Sequence, residues 1–216
     1  MNIEQARFNM IEQQIRPWEV LDFTVLDLLK AVRREQFVPA AYKALAFADT
    51  EIPLGYGAAM WQPKVEARAV QALRLRSSDS VLEIGSGSGY VTALLARLAA
   101  HVTSVEIEPA LHEMAKANLA AQHIGNVTLQ QGDGAQHWGE GEYDAIILTG
   151  SVPLAPEGYR QQLRVGGRLF AIVGDAPAMK ATLCTRTGAD QFHTVSLFET
   201  NVAPLRNAPQ PQRFVF

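Results

Sequence analysis

The chain has 216 residues, is 48% hydrophobic, and carries a formal net charge of −3 with a pI of about 6.0. That composition sustains one large core better than two small ones, offers no overall basic footprint for nucleic acid, and includes no apolar run of the roughly eighteen residues that a membrane-spanning helix needs. The single cysteine excludes an intrachain disulfide, and Cys184, in the apolar-rich run 181–186, reads as a small buried hydrophobe. The first residues, Met1-Asn2-Ile3-Glu4-Gln5, lack the basic-then-apolar order of a secretion signal, so a cytoplasmic protein is expected.

The first fifty residues read as helices. Phe8, Ile11 and Ile15 share a helical face that Pro17 ends, and Asp22 is placed to cap a second helix carrying Val25, Leu29 and Val32. A third short helix is expected after Pro39. Residues 55–63, Gly-Tyr-Gly-Ala-Ala-Met-Trp-Gln-Pro, read as a small-residue loop with Trp61 at its mouth, running into a helical pattern over 64–73. From residue 80 short apolar runs alternate with helical stretches. Strands are expected at 80–84, 102–106, 127–131, 145–148 and 168–173, with helices at 90–98, 110–121 and, more weakly, 156–163. Pro109 suits a first helical turn, and Leu111, Met114 and Leu119 form that helix's packing face. Such alternation predicts a mostly parallel sheet covered on both faces. Beyond Gly174, residues 180–186 and 193–199 form a hairpin pattern, and residues 213–216 either add an edge strand or stay loose. The expected fold is a single α/β domain: an N-terminal helical cap with a substrate-side loop (1–75), a doubly wound, Rossmann-like cofactor core (76–175) and C-terminal strands with a tail (176–216).

The segment Val81-Leu82-Glu83-Ile84-Gly85-Ser86-Gly87-Ser88-Gly89-Tyr90 carries the chemistry. It joins a strand to a helix, where glycines allow a tight turn and close approach of a ligand. A dinucleotide fingerprint would need glycine at position 90, which is Tyr, and no Lys follows as in a phosphate-gripping loop. The pattern acidic-x-Gly-x-Gly-x-Gly is instead that of S-adenosylmethionine-dependent methyltransferases. Backbone amides around Gly85, Ser86, Gly87 and Gly89 suit the cofactor's carboxylate, and Glu83 adds negative charge near its cationic groups. Glu106, 21 residues after Gly85 and followed by Ile107, is placed to accept both ribose hydroxyls; the alternative is an exposed strand end or a helix cap. Asp133, before Gly134, either accepts from the adenine amino group or sits in an ordinary turn. Trp138 either covers the adenine or packs in the core. His101, His112, His123, His137 and His193 show no metal-ligand spacing, so no metal is expected.

The chain resembles one family in particular, the protein-L-isoaspartate O-methyltransferases, over about residues 5–206. The resemblance is carried by Met10–Ile15, Arg34–Pro39, Ile52–Gly57, Val81–Tyr90, Gly132-Asp133-Gly134, Tyr143–Thr149, Gly166–Leu169 and Val202–Leu205. It implies methylation of the α-carboxylate of isoaspartyl residues in damaged proteins or peptides, with S-adenosyl-L-methionine as cofactor and S-adenosyl-L-homocysteine as product. The resulting ester collapses to a succinimide that can reopen as normal aspartate. It also implies Thr149 beside the cofactor and an unusual order for the last two strands. From charge and hydropathy neither nucleic acid nor membrane is expected as partner; a monomer or weak homodimer is expected, though the sequence does not fix the oligomeric state. On the substrate side the resemblance implies Ala59, Met60, Gln62 and Ala203, with Trp61 at the position where the family keeps a serine hydroxyl. The family pattern Thr-Ile-Ser-Gln-Pro reads here Ala59-Met60-Trp61-Gln62-Pro63, so both hydroxyls are missing. Likewise Arg-Phe-Val-Pro-Leu reads Asn201-Val202-Ala203-Pro204-Leu205. Trp61 therefore fills the acceptor pocket, stacks on a different acceptor, or turns away to pack against the N-terminal helices. The matching alternatives are a weakened repair enzyme, a methyltransferase for another acceptor, and a cofactor-binding protein without isoaspartyl activity. A nicotinamide oxidoreductase fits least well.

Overall fold

The computed structural model describes residues 2–211. Asn2 caps α1 (Ile3–Met10), which widens into a π-helical turn at Ile11–Ile15 and closes with a 3₁₀ turn around Pro17. Within α1 the inward face is taken by Arg7 and Met10. Met10, Ile11 and Ile15 are buried, but Phe8, expected on the same face, is 55% exposed. Asp22 caps α2 (Phe23–Ala31) by accepting from the Thr24 amide, and Val25, Leu29 and Val32 are buried as the spacing requires. The short helix expected after Pro39 is a 3₁₀ segment, Ala40–Leu45.

The stretch read as a loop is a tight antiparallel hairpin, β1 (Ile52–Gly55) and β2 (Ala58–Met60), with Ile52 opposite Met60 and Pro53 opposite Ala59. Its turn has positive φ at Gly55, Tyr56 and Gly57, a geometry that glycine accepts without strain. Pro63 then opens α3 (Pro63–Leu73).

Next come β3 (Ser80–Ile84), α4 (Tyr90–Leu98), β4 (His101–Glu106), α5 (Pro109–Ala121) and β5 (Val127–Gln131). They are followed by β6 (Tyr143–Val152), the short α6 (Glu157–Gln161), β7 (Leu163–Val173), β8 (Met179–Gly188) and β9 (Gln191–Thr200). The main sheet has seven strands in the order β5-β4-β3-β6-β7-β8-β9. β3 to β7 run parallel and β8 and β9 antiparallel, so the terminal hairpin is added consecutively at one edge. The proposed strand at 213–216 lies outside the described residues.

One apolar cluster joins the N-terminal helices, α3 and α4 to one face of the sheet through Val81, Ala145, Ile147, Phe170 and Ile172. The other face is covered by a smaller cluster including Leu82, Ile146, Leu148, Tyr159 and Leu169, where Cys184 is also buried. Strands apolar on both faces are what a covered parallel sheet demands. No helix is long and apolar enough to cross a membrane among the described residues.

Candidate active site

From β3 the chain crosses to β4 on one side, and β6 pairs on the other, so the order of strands reverses at β3. In open α/β sheets the crevice at such a reversal, beyond the carboxyl ends of the strands, is where ligands bind. Here a cleft of about 1040 Å³, counting space open to solvent, lies at that point. Its lower wall comes from the ends of β3, β4, β5 and β6, including Gly85, Ser86, Gly87, Glu106, Ile107, Asp133, Gly134 and Thr149. Its upper wall is the β1–β2 hairpin and the tail segment 203–206.

The glycine turn is held close against β6. Gly85 has φ +98°, and the Thr149 hydroxyl donates to the Gly85 and Ile84 carbonyls where a side chain at 85 would collide with it. Gly87 (φ +53°) donates its amide to Glu106 Oε2 at 2.8 Å, while the Glu108 amide donates to Oε1 at 3.0 Å. That fixes the Glu106 carboxylate at the end of β4, only 5% exposed, with further lone pairs free for hydroxyl donors. α4 starts behind the turn with no side-chain cap, so its first amides are available to an anion. Asp133 is exposed; Oδ1 accepts from the Ala135 amide and Oδ2 from the Asn207 side chain.

The tail is zipped onto β6. The Ser151 amide donates to the Ala203 carbonyl and the Leu205 amide to the Ser151 carbonyl, which sets Ala203 in the cleft wall. Arg206 follows, donating to Glu108 Oε2 at 3.0 Å and to the Tyr56 carbonyl at 2.5 Å, so it ties the hairpin tip to the start of α5.

Three expected site residues do not line the cleft. Glu83 is fully buried beneath the glycine turn, where its Oε2 accepts from Thr92 and Ser104, and Ser104 in turn meets Ser86. Burial pushes the Glu83 carboxyl up to about 8, so it is mainly neutral at pH 7 and adds no full negative charge beside a cofactor. Gly89 (φ +82°) serves helix packing instead, because a side chain there would press on the Ala115 backbone of α5. Gln62 starts α3, its carbonyl accepting the Val65 and Glu66 amides. Trp138 lies against Gly132 and donates to Gln130, packing at the edge of the smaller cluster.

Ala59, Met60 and Trp61 all line the cleft. Trp61 is 5% exposed, and its ring centroid lies 6.2 Å from that of Phe170 on β7. The indole packs toward the sheet, within the apolar cluster that also holds the N-terminal helices, while residue 61 still lines the cleft. The backbone there is clamped by Arg34, fully buried, which donates to the Trp61 carbonyl at 2.7 Å, the Ala46 carbonyl at 2.7 Å and both oxygens of buried Glu66. Burial raises the Glu66 carboxyl, and the Arg34 charge opposes that rise.

Sequence reasoning missed Glu51, Glu66, Tyr90 and Arg206 as cleft-lining residues. Tyr90 was visible as the end of the glycine motif, and burial holds its phenol protonated. The other three come from separate segments and have no local signature.

Comparison with known proteins agrees with this geometry. Residues 5–208 match a family model described as protein-L-isoaspartate(D-aspartate) O-methyltransferase. A protein-L-isoaspartate O-methyltransferase 1 of Rhodopseudomonas palustris (strain HaA2) is 41% identical over 92% of this chain and 82% of its own. A protein-L-isoaspartate O-methyltransferase 2 of Anaeromyxobacter sp. (strain Fw109-5) is 41% identical over 95% and 83%. A Plasmodium falciparum crystal structure, described as such a methyltransferase with S-adenosyl-L-homocysteine, superposes with TM-score 0.78 at 19% identity, covering 95% of this chain and 99% of that one. At that identity it bears on the fold alone.

Proposed function

The chain belongs to the protein-L-isoaspartate(D-aspartate) O-methyltransferase family, and from that premise we propose that it methylates the free α-carboxylate of L-isoaspartyl residues in damaged proteins or peptides, using S-adenosyl-L-methionine. The observation that supports this most is the cleft at the strand reversal, where the glycine turn, Glu106 and the uncapped start of α4 meet. These residues fit the cofactor. A side chain at Gly85 would displace the Thr149 hydroxyl and one at Gly87 would press on Leu54, the Glu106 carboxylate suits ribose hydroxyls, and the α4 amides suit a carboxylate.

Bound there, the cofactor supplies a methyl group already activated on a sulfonium. The acceptor carboxylate is ionised at neutral pH, so no general base is required. What remains for the protein is to hold the acceptor oxygen in line and to exclude water. The hairpin carrying Ala59–Trp61 and the tail at Ala203–Leu205 form the wall that faces such an acceptor. Arg206 spans them from the α5 side and holds the hairpin tip in place.

The test is methyl transfer to an isoaspartyl peptide and to its normal aspartyl counterpart. Preference for the isoaspartyl peptide is expected; equal rates on both would sink the repair reading.

A further inference from the structure

The acceptor wall lacks the hydroxyls at positions 59 and 61, yet it holds a carboxyl that is uncommitted among the described residues. Glu51 lines the cleft together with Ala59, Met60 and Trp61. It is half-buried, no hydrogen bond or charge acts on its carboxyl among the described residues, and its oxygens are not sealed from solvent. The other acidic side chains of the cleft are engaged: Glu66 by Arg34, Glu106 by two amides, Asp133 by Ala135 and Asn207. The hairpin register places Ile52 opposite Met60 and Pro53 opposite Ala59. Continued by one residue, it sets Glu51 opposite position 61, where the family resemblance puts a hydroxyl.

We infer that Glu51 orients the acceptor in this chain by donating a hydrogen bond, in its protonated form, to one oxygen of the acceptor carboxylate. The inference rests on the isoaspartyl reading above. Burial already raises the Glu51 carboxyl from its ordinary value. An acceptor carboxylate beside it raises the pair further, because two adjacent carboxylates do not both stay ionised. The two carboxyls then share one proton, and acceptor binding near neutral pH draws that proton from solution. The other acceptor oxygen is left to meet the methyl group. Methyl transfer forms one C–O bond, breaks one C–S bond and moves no proton, so Glu51 ends the step still protonated. The remaining titratable groups around this wall are Glu66 with Arg34, Tyr90, Tyr56, Arg206 and the Asp49–Lys64 pair. None of these is a free donor carboxyl on the hairpin.

The experiment compares the parent with Glu51→Gln and Glu51→Ala, using an isoaspartyl peptide at saturating S-adenosyl-L-methionine from roughly pH 6 to 9. The parent kcat/KM for peptide should fall as pH rises and the donor is lost. Glu51→Gln, a permanent donor, should keep its activity and flatten the profile. Glu51→Ala should lose about ten-fold at neutral pH, as for one oriented hydrogen bond, with the KM for cofactor unchanged. Calorimetry of peptide binding in two buffers of different ionisation enthalpy should show proton uptake by the parent and none by Glu51→Gln. An active parent with Glu51→Ala equal to it, Gln no better than Ala, or no proton uptake overturns the assignment of Glu51 alone. A parent that binds cofactor but methylates no isoaspartyl peptide overturns the isoaspartyl reading and this inference with it.

Discussion

Glu83 offers a test of the site's foundation that needs no ligand. In the folded protein its carboxyl is sealed from solvent, with Oε1 lacking any partner among the described residues and Oε2 accepting from Thr92 and Ser104. Burial pushes it up from 4.5 to about 8. The fold therefore holds a proton that the unfolded chain releases once pH exceeds about 4.5. Stability falls as pH rises from there through about 8, and this contribution levels off above that. Between pH 6 and pH 9 the unfolded group is ionised throughout, while the folded one gives up its proton about two units into that range. The loss is about 3 kcal/mol, or roughly 6–12 °C in Tm for a chain of this size. Glu83→Gln keeps the shape, remains neutral and lets the hydroxyls of Thr92 and Ser104 bond as before. Urea unfolding of parent and variant at both pH values, read by circular dichroism, measures the difference. The variant should close most of the gap at pH 9. If both proteins lose stability in parallel between pH 6 and pH 9, Glu83 is ionised in the fold and the reasoning is wrong.

Arg34→Met should cost about 3–5 kcal/mol in denaturant unfolding, because Glu66 is left buried without its partner, and Glu66→Leu added to it should recover most of the loss. Gly85→Ala should weaken S-adenosyl-L-methionine binding at least about ten-fold by calorimetry, since residue 85 sits at φ +98° and a methyl there displaces the Thr149 hydroxyl. Trp61→Ser should lower stability by about 3–5 kcal/mol through the cavity it leaves beside Phe170, whereas Ala59→Thr, at a half-exposed hairpin position, should change thermal stability little.

The sheet was legible because its parallel strands are short apolar runs closed by glycine or a charged residue; β3, α4 and β5 have the expected limits. Strands β6 to β9 extend further than their apolar cores, since partner strands supply hydrogen bonds that polar ends such as Thr149–Ser151 accept without any hydrophobic pattern. The β1–β2 hairpin was hidden for the opposite reason. Gly55–Ala59 has too few side chains to alternate, so only the pairing reveals it. Phe8 was misplaced because Arg7, paired with Glu35, takes the inward face of α1, and a charged residue gives no apolar signal for that face. Within the site, the glycine motif located the cleft, but the acidic residue that helps define the motif works beneath it. Glu83 lies on the inward face of a strand covered on both sides, and nothing in the spacing tells which face residue 83 takes. Arg206 and Glu51 meet this cleft from segments 155 residues apart in the chain, a proximity created only when the tail pairs with β6.

Trp61 gains a different meaning from that arrangement. Its ring is one of four in sequence: Trp61 lies 6.2 Å from Phe170, Phe170 lies 6.5 Å from Phe198, and Phe198 lies 5.5 Å from Trp18. Those rings belong in turn to the acceptor wall, the sheet interior, the outer strand and the N-terminal cap. Lys64 over Trp18 at 4.4 Å and Arg68 over Phe198 at 5.5 Å fasten the same run from α3. A serine at 61 would reach none of these partners. The indole thus exchanges a hydrogen-bonding group in the wall for about 3–5 kcal/mol of packing beneath it. With the backbone of residue 61 clamped by Arg34, the polar duty of that wall falls to the side chain across the hairpin, and Glu51 is the one positioned to take it.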